Sequence, residues 1–211
     1  MKYLASTYYF DYDHENIQTI LQEYKTETLS DKEKAVAIYH FVRDRWRYNP
    51  YHIGFQDKHY KASNIVHKQE GHCIDKCILL ITFLRGLGIP ARIQLAKVKN
   101  HIAAERLEER FGTNELSPHG MVNILLEGKW LKASPAFNAS LCEMCHVAPL
   151  EFNGEEDSIF QQYNEAGDAF MEYLEDYGHF PDLPIDFIRE NMRNLYPALA
   201  PVIDERGELR L

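Results

Sequence analysis

The sequence contains no run of eighteen apolar residues, so it offers no segment long enough to cross a bilayer as a helix. The amino terminus, Met1-Lys2-Tyr3-Leu4, turns polar by Asp11, Asp13 and His14 without an apolar export segment, and a cytoplasmic location is expected. Basic charge is in deficit: 23 Lys and Arg stand against 32 Asp and Glu, a net charge of −9 that repels phosphate backbones and anionic lipid. Nucleic acid and membranes are therefore not expected as partners. Cysteine is scarce. Four thiols (Cys73, Cys77, Cys142, Cys145) in 211 residues are too few for a disulfide framework, which leaves them a chemical or a packing role. No repeat, low-complexity stretch or linker divides the chain, and neither a cofactor nor a resident metal is read from it.

What is present fits one packed unit. Hydrophobic residues make up 45% and charged residues 26%, as in ordinary globular proteins. A chain of 211 residues is near the upper end of what one core serves. A single domain over residues 1–211 is expected, with a motif-bearing core at about 60–138 and a helical carboxy-terminal extension at about 150–211.

Residues 3 to 10, rich in Tyr and Phe, read as a first strand, followed by a helix capped by Asp13 with Ile17, Ile20, Leu21 and Tyr24 on its apolar face. Ser30-Asp-Lys-Glu33 is a capping box that opens a helix burying Ala35, Ile38, Tyr39, Val42 and Trp46. Residues 47 to 69 read as a long loop with one short helix near 62–67; Tyr48, Tyr51 and His52 are its candidates for touching a ligand. After Gly71 a strongly periodic helix runs through Ile74, Cys77, Ile78, Ile81, Leu84 and Leu87 and is stopped by Gly88 and Pro90. Ala91 to Val98 alternates like a strand, residues 101–110 look like an exposed helical insertion, and His119 to Leu126 with Lys129 to Ala133 form a hairpin about Glu127-Gly128. The acidic stretch 151–165 reads as a solvated face. Helical patterns are expected at Asp168 to Asp176 and Pro184 to Leu195, before a polar tail.

Chemistry concentrates at Cys73. It opens the central helix, where orphan N–H groups and the positive end of the macrodipole favour a thiolate and offer donors to an oxyanion. Gly71 is expected to let a substrate carbonyl approach. The nucleophile needs a base, and His119, at the start of a strand, is the candidate; His72, about 100° round the helix, is more suited to shaping the mouth of the site. Cys77 belongs to the apolar stripe. Cys142-Glu-Met-Cys145-His146 formally matches a haem-attachment pattern or half of a metal site, but a packed or surface pair is its default reading.

Two blocks carry a resemblance. Gly71-His72-Cys73-Ile74-Asp75-Lys76-Cys77 followed by Leu84-Arg85-Gly86-Leu87-Gly88-Ile89-Pro90-Ala91-Arg92 resembles the transglutaminase-like superfamily, as does His119-Gly120-Met121-Val122-Asn123 through Gly128-Lys129-Trp130-Leu131-Lys132-Ala133-Ser134-Pro135. The resemblance implies an α+β, papain-like fold in which a helix bearing the Cys packs on an antiparallel sheet that supplies the His. It also implies acyl transfer or hydrolysis of a peptide or protein amide through a thioester. The family's Asp, which orients the His ring, aligns here with Ser134. Ser134 can accept the imidazole N–H but cannot stabilise imidazolium as a carboxylate does; Asn138 is the alternative orienter. Hydrolysis is favoured over cross-linking because no Asp-x-Asp-x-Asp-Gly calcium loop is present. The rival reading is a weak or inactive relative that serves as a protein-binding module.

Overall fold

The computed structural model describes residues 2–101, 104–159, 163 and 166–210. The Ser30 capping box forms: Ser30 Oγ accepts from the Glu33 N–H at 3.3 Å, and the Ser30 N–H reaches the Glu33 carboxylate at 2.8 Å. It opens the second helix, α2 (Asp31–Arg45). The first, α1 (Glu15–Leu21), is capped by His14 rather than Asp13, its Nδ1 accepting from the Asn16 N–H at 3.3 Å. No strand forms over residues 3–10. The aromatic residues there anchor turns to the core instead: Phe10 is fully buried under the Arg85 guanidinium, 4.6 Å from its ring centroid.

The expected loop after α2 carries more pairing than its composition indicates. β1 (Arg47–Tyr48), β2 (His52–Gly54), a single 3-10 turn and α3 (Ala62–Ile65) lie within it and β3 (Glu70–Gly71) follows, with β1 and β3 parallel. The central helix α4 (Cys73–Gly86) is buried at every position from Ile74 to Arg85, and it ends where Gly88 takes a positive φ of 83°. Beyond it run β4 (Ala91–Asn100), α5 (Ala104–Phe111), β5 (Glu115–Leu126), β6 (Lys129–Ala133) and α6 (Ala139–Met144). The β5–β6 hairpin turns through Glu127 and Gly128, both at positive φ, the conformation that a two-residue hairpin turn requires.

The carboxy-terminal third departs most from expectation. The segment read as a helix around 168–176 is largely the edge strand β7 (Met171–Phe180), paired antiparallel with β4 through two register shifts. Its Met, Leu and Glu residues favour a helix, but the open edge of β4 supplies hydrogen-bond partners that composition does not report. α7 (Ile185–Leu195) forms as read, and the tail is docked: α8 (Ala200–Asp204) leads to β8 (Glu208–Arg210), antiparallel to β2, with Leu209 buried. Part of the acidic stretch read as solvated, residues 160–162, 164 and 165, lies outside the described residues, as do residues 102 and 103 of the helical insertion. Phe152, in the same stretch, is buried.

The result is a mixed helix and sheet architecture. A four-stranded antiparallel sheet in the order β6-β5-β4-β7 packs one face on α4, through Ile93, Leu95, Val122 and Ile124. Met121, Ala96 and Val98 point into a second cluster with Phe137 and Phe170. Among the described residues no helix is long and apolar enough to cross a membrane.

A lysine is sealed inside this arrangement. Lys76, fully buried, donates through Nζ to the carbonyls of Arg43 and Ala136, each at 2.7 Å, and so ties α4 to the end of α2 and to the chain after β6. Desolvation brings its pKa down to about 7, partly opposed by Asp44. A neutral amine has two N–H donors, which matches two carbonyls. From about pH 7 towards the ordinary value of 10.5 the unfolded chain binds the proton that the folded one has released, so rising pH stabilises the fold through this group. Urea unfolding of the parent and of Lys76→Met should therefore diverge in the parent's favour between about pH 7 and about pH 9.5, by up to about 1.4 kcal/mol per pH unit. Parallel stability curves would show that the amine stays charged across the range, its pKa not lowered by burial.

Candidate active site

The turn before α4 is held from both sides. The Asn49 N–H donates to the Gly71 carbonyl at 3.1 Å, continuing the β1–β3 pairing, and His72 then caps the helix. His72 Nδ1 accepts from the N–H groups of Ile74 (3.2 Å) and Asp75 (3.4 Å). The accepting nitrogen carries no proton, so the proton sits on Nε2, 3.5 Å from Asp75 Oδ1. Burial holds this histidine below its ordinary pKa. The Asp75 carboxylate also receives Lys68 at 3.2 Å. A Cβ on Gly71 would come within 2.9 Å of Asp75 Cβ, so the glycine is needed for this packing. Its expected part in substrate approach has no support in the geometry. His72 takes up two first-turn N–H groups that the helix start was expected to offer to an oxyanion.

Cys73 is the first residue of α4 and is half-buried. Burial pushes its thiol up to about 11, against the backbone N–H groups of Gly120, Ile74 and Cys73 itself, which favour the thiolate. The expected lowering by the helix start is thus present but outweighed by desolvation. Gly120 on β5 explains the contact. A Cβ there would lie 3.2 Å from Cys77 Sγ and 3.3 Å from Ile74 Cγ1, so the absence of a side chain lets β5 approach α4 by its backbone. Cys77 itself is core, fully buried.

His119 precedes Gly120 and pairs with Ala96 across β4–β5. Strand alternation gives it the sheet face of Met121, and Cys73 packs against the clusters on both faces. The ring is buried, which takes its pKa down to about 3. Ser134 follows β6. Val122 pairs with Ala133, and continuing that register puts Ser134 beside Met121, on the same face as His119 and diagonal to it. Its buried Oγ has no hydrogen-bond partner among the described residues, while its carbonyl accepts from the Tyr39 hydroxyl at 3.0 Å. Asn138 is committed elsewhere, its Oδ1 accepting from the Tyr48 N–H at 2.9 Å and its Nδ2 donating to Ser140 Oγ at 2.8 Å.

A cavity of about 50 Å³ lies over Cys73, walled by His72, Tyr48, Pro118, Leu116, Phe111 and Tyr196. A second, of about 550 Å³, adjoins it and shares Tyr48, Pro50 and Leu116. Of the loop candidates, Tyr48 lines both and Tyr51 the larger, whereas His52 pairs with Arg210 in β2–β8 and lines neither. Tyr196 was not legible in the sequence. Its hydroxyl accepts from the Ser117 N–H at 3.0 Å and donates to the Glu115 carbonyl at 2.9 Å, bracing the strand just ahead of His119 from the far end of α7. Cys142 is buried and Cys145 half-buried; among the described residues no group of three or more His, Cys, Asp or Glu is placed to hold a metal ion, so the alternative metal site at Cys142, Cys145 and His146 does not assemble.

Comparison with known proteins gives a family match. The model described as "Transglutaminase-like superfamily" matches residues 18–135, more than half of the chain. No curated protein matches. Among solved structures, a "Putative Cysteine Protease" from Cytophaga hutchinsonii is similar at 20% identity with a TM-score of 0.46; the alignment covers 64% of this chain and 40% of that one.

The raised thiol pKa has a direct readout. Iodoacetamide alkylation of Cys73, followed by peptide mass, should still be accelerating at about pH 10, as expected of a thiol well above the ordinary cysteine range. A rate that levels off by about pH 7 would mean that the N–H donors outweigh burial.

Proposed function

The chain belongs to the transglutaminase-like superfamily, and we propose that it is a cysteine-dependent enzyme in which Cys73 attacks the carbonyl of a peptide or protein amide and His119 carries the proton. Residues 1–211 are read as one domain in which α4 and the β4–β5–β6 sheet take a papain-like arrangement. The observation that supports the reading is that β5 closes onto the start of α4 at Gly120, the residue after His119: a Cβ there would lie 3.3 Å from Ile74 Cγ1, on the residue next to Cys73.

With the thiol raised and the imidazole lowered, the resting pair is neutral. Proton transfer then belongs to the attack itself. The S–H proton passes to His119 as the S–C bond forms, and the carbonyl π electrons move to oxygen, where N–H groups near the sulfur stabilise the oxyanion. Collapse breaks the C–N bond, His119 returns the proton to the departing amine, and a thioester remains. Water or a second amine adds to that thioester, giving up its proton through His119 and regenerating the thiol. Ser134 is the proposed orienter: a hydroxyl on the His119 face can fix the ring without the charge of a carboxylate.

A second reading, a catalytically weak binding module, is favoured by the same neutral pair and by a serine where the family carries Asp. An acyl donor that needs no specificity separates the two. With p-nitrophenyl acetate the enzyme reading expects one acetyl group on the Cys73 peptide, with release of p-nitrophenolate. His119→Ala should slow that acetylation about a hundredfold or more, the usual contribution of a positioned base. Acetylation that is indifferent to His119→Ala would favour the module.

A further inference from the structure

The cavity over Cys73 is too small to hold a substrate. At about 50 Å³ it has room for the attacked carbonyl and little more, so the rest of an acyl donor must lie in what adjoins it. The larger cavity, about 550 Å³, is in the size range of ordinary ligand sites and shares the side chains of Tyr48, Pro50 and Leu116 with the first.

Its chemistry is specific. Phe137 stands between two other rings, 4.8 Å from Tyr48 and 5.8 Å from Phe170 between centroids, so three aromatic side chains form one continuous wall. Leu116 and Leu141 extend it, and Met144, 77% exposed, lies at the mouth. Glu70, the acidic residue of the lining, is engaged at 2.8 Å by the Asn49 side chain. Asn138, which takes the Tyr48 N–H and starts α6, fixes the aromatic wall relative to the leucines. The lining also holds Arg47, exposed to solvent, with Asn49 and Asn100, and its aromatic and leucine part rewards burial of hydrocarbon.

We infer that this second cavity is the acyl-side specificity site: it takes an aromatic or large aliphatic side chain on the residue that supplies the attacked carbonyl. The inference rests on the reading of Cys73 as nucleophile, and the substrate class it names is a peptide amide with such a residue beside the bond broken. The small cavity then positions the carbonyl, and the large one selects what is attached to it.

Binding can be measured apart from chemistry. In the full chain carrying Cys73→Ala, NMR titration with N-acetyl-L-phenylalaninamide should move resonances of the cavity lining. N-acetylglycinamide and N-acetyl-L-asparaginamide should bind more weakly by at least about tenfold, the discrimination that a few methylene equivalents confer. Leu141→Trp, which fills the cavity, should abolish the preference. Met144→Glu, at an exposed position that leaves the core untouched, should weaken phenylalaninamide binding and serves if the tryptophan variant does not fold. Equal binding of the three amides, or a preference that survives both variants, would overturn the inference. Acetylation of Cys73 by p-nitrophenyl acetate in the parent is read separately. If it succeeds while phenylalaninamide fails to bind, the specificity site is refuted and the nucleophile stands; if phenylalaninamide binds at the cavity while Cys73 stays unacetylated, the nucleophile is refuted and with it the acyl-side assignment.

Discussion

The approach of a strand backbone to the first turn of a helix governs this site. Gly120 has no side chain to hold β5 away from α4, where a Cβ would lie 3.2 Å from Cys77 Sγ and 3.3 Å from Ile74 Cγ1. That approach places His119, the residue before Gly120, on the strand that packs against the helix opened by Cys73. The braces on either side serve it: His72 closes the helix start, β1–β3 pairing fixes the turn before it, and Tyr196 clasps the residues ahead of His119. A larger residue at 120 would press on Cys77 and Ile74, both in the core.

Close packing has an electrostatic consequence. The thiol, the imidazole and the Lys76 amine are each displaced by desolvation towards their neutral forms. A buried group that stays neutral needs no counterion. That fits a site with Ser134 on the His119 face; on the proposed mechanism, charge then separates only in the encounter with substrate. Lys76 is three residues after Cys73 and holds the chain that follows β6, so the segment carrying Ser134 is anchored to the helix that carries Cys73.

The parts of this arrangement legible in the sequence are those with local causes. The capping box at Ser30, the stripe of α4 with its Gly88 stop, and the hairpin at Glu127-Gly128 each depend on residues a few positions apart. The strand β7 was hidden because a charged, largely exposed sequence becomes a strand only where β4 leaves an open edge. Residues 3–10 misled for the converse reason, since buried aromatic residues can anchor turns as well as strands. At the site, the positions of Cys73 and His119 could be read from motif and helix pattern, but their pKa displacements could not, because burial is a property of the assembled fold. Tyr196 and the wall of Phe137 and Phe170 come together through contacts that no local spacing encodes.

The central claim is a meeting of two side chains, and a high-resolution crystal structure of the unliganded chain measures it directly. The account predicts a Cys73 sulfur within about 4 Å of a His119 ring nitrogen, the looser end of an unliganded catalytic pair. An imidazole turned away into the cluster around Met121, with the sulfur facing only apolar walls, would contradict it.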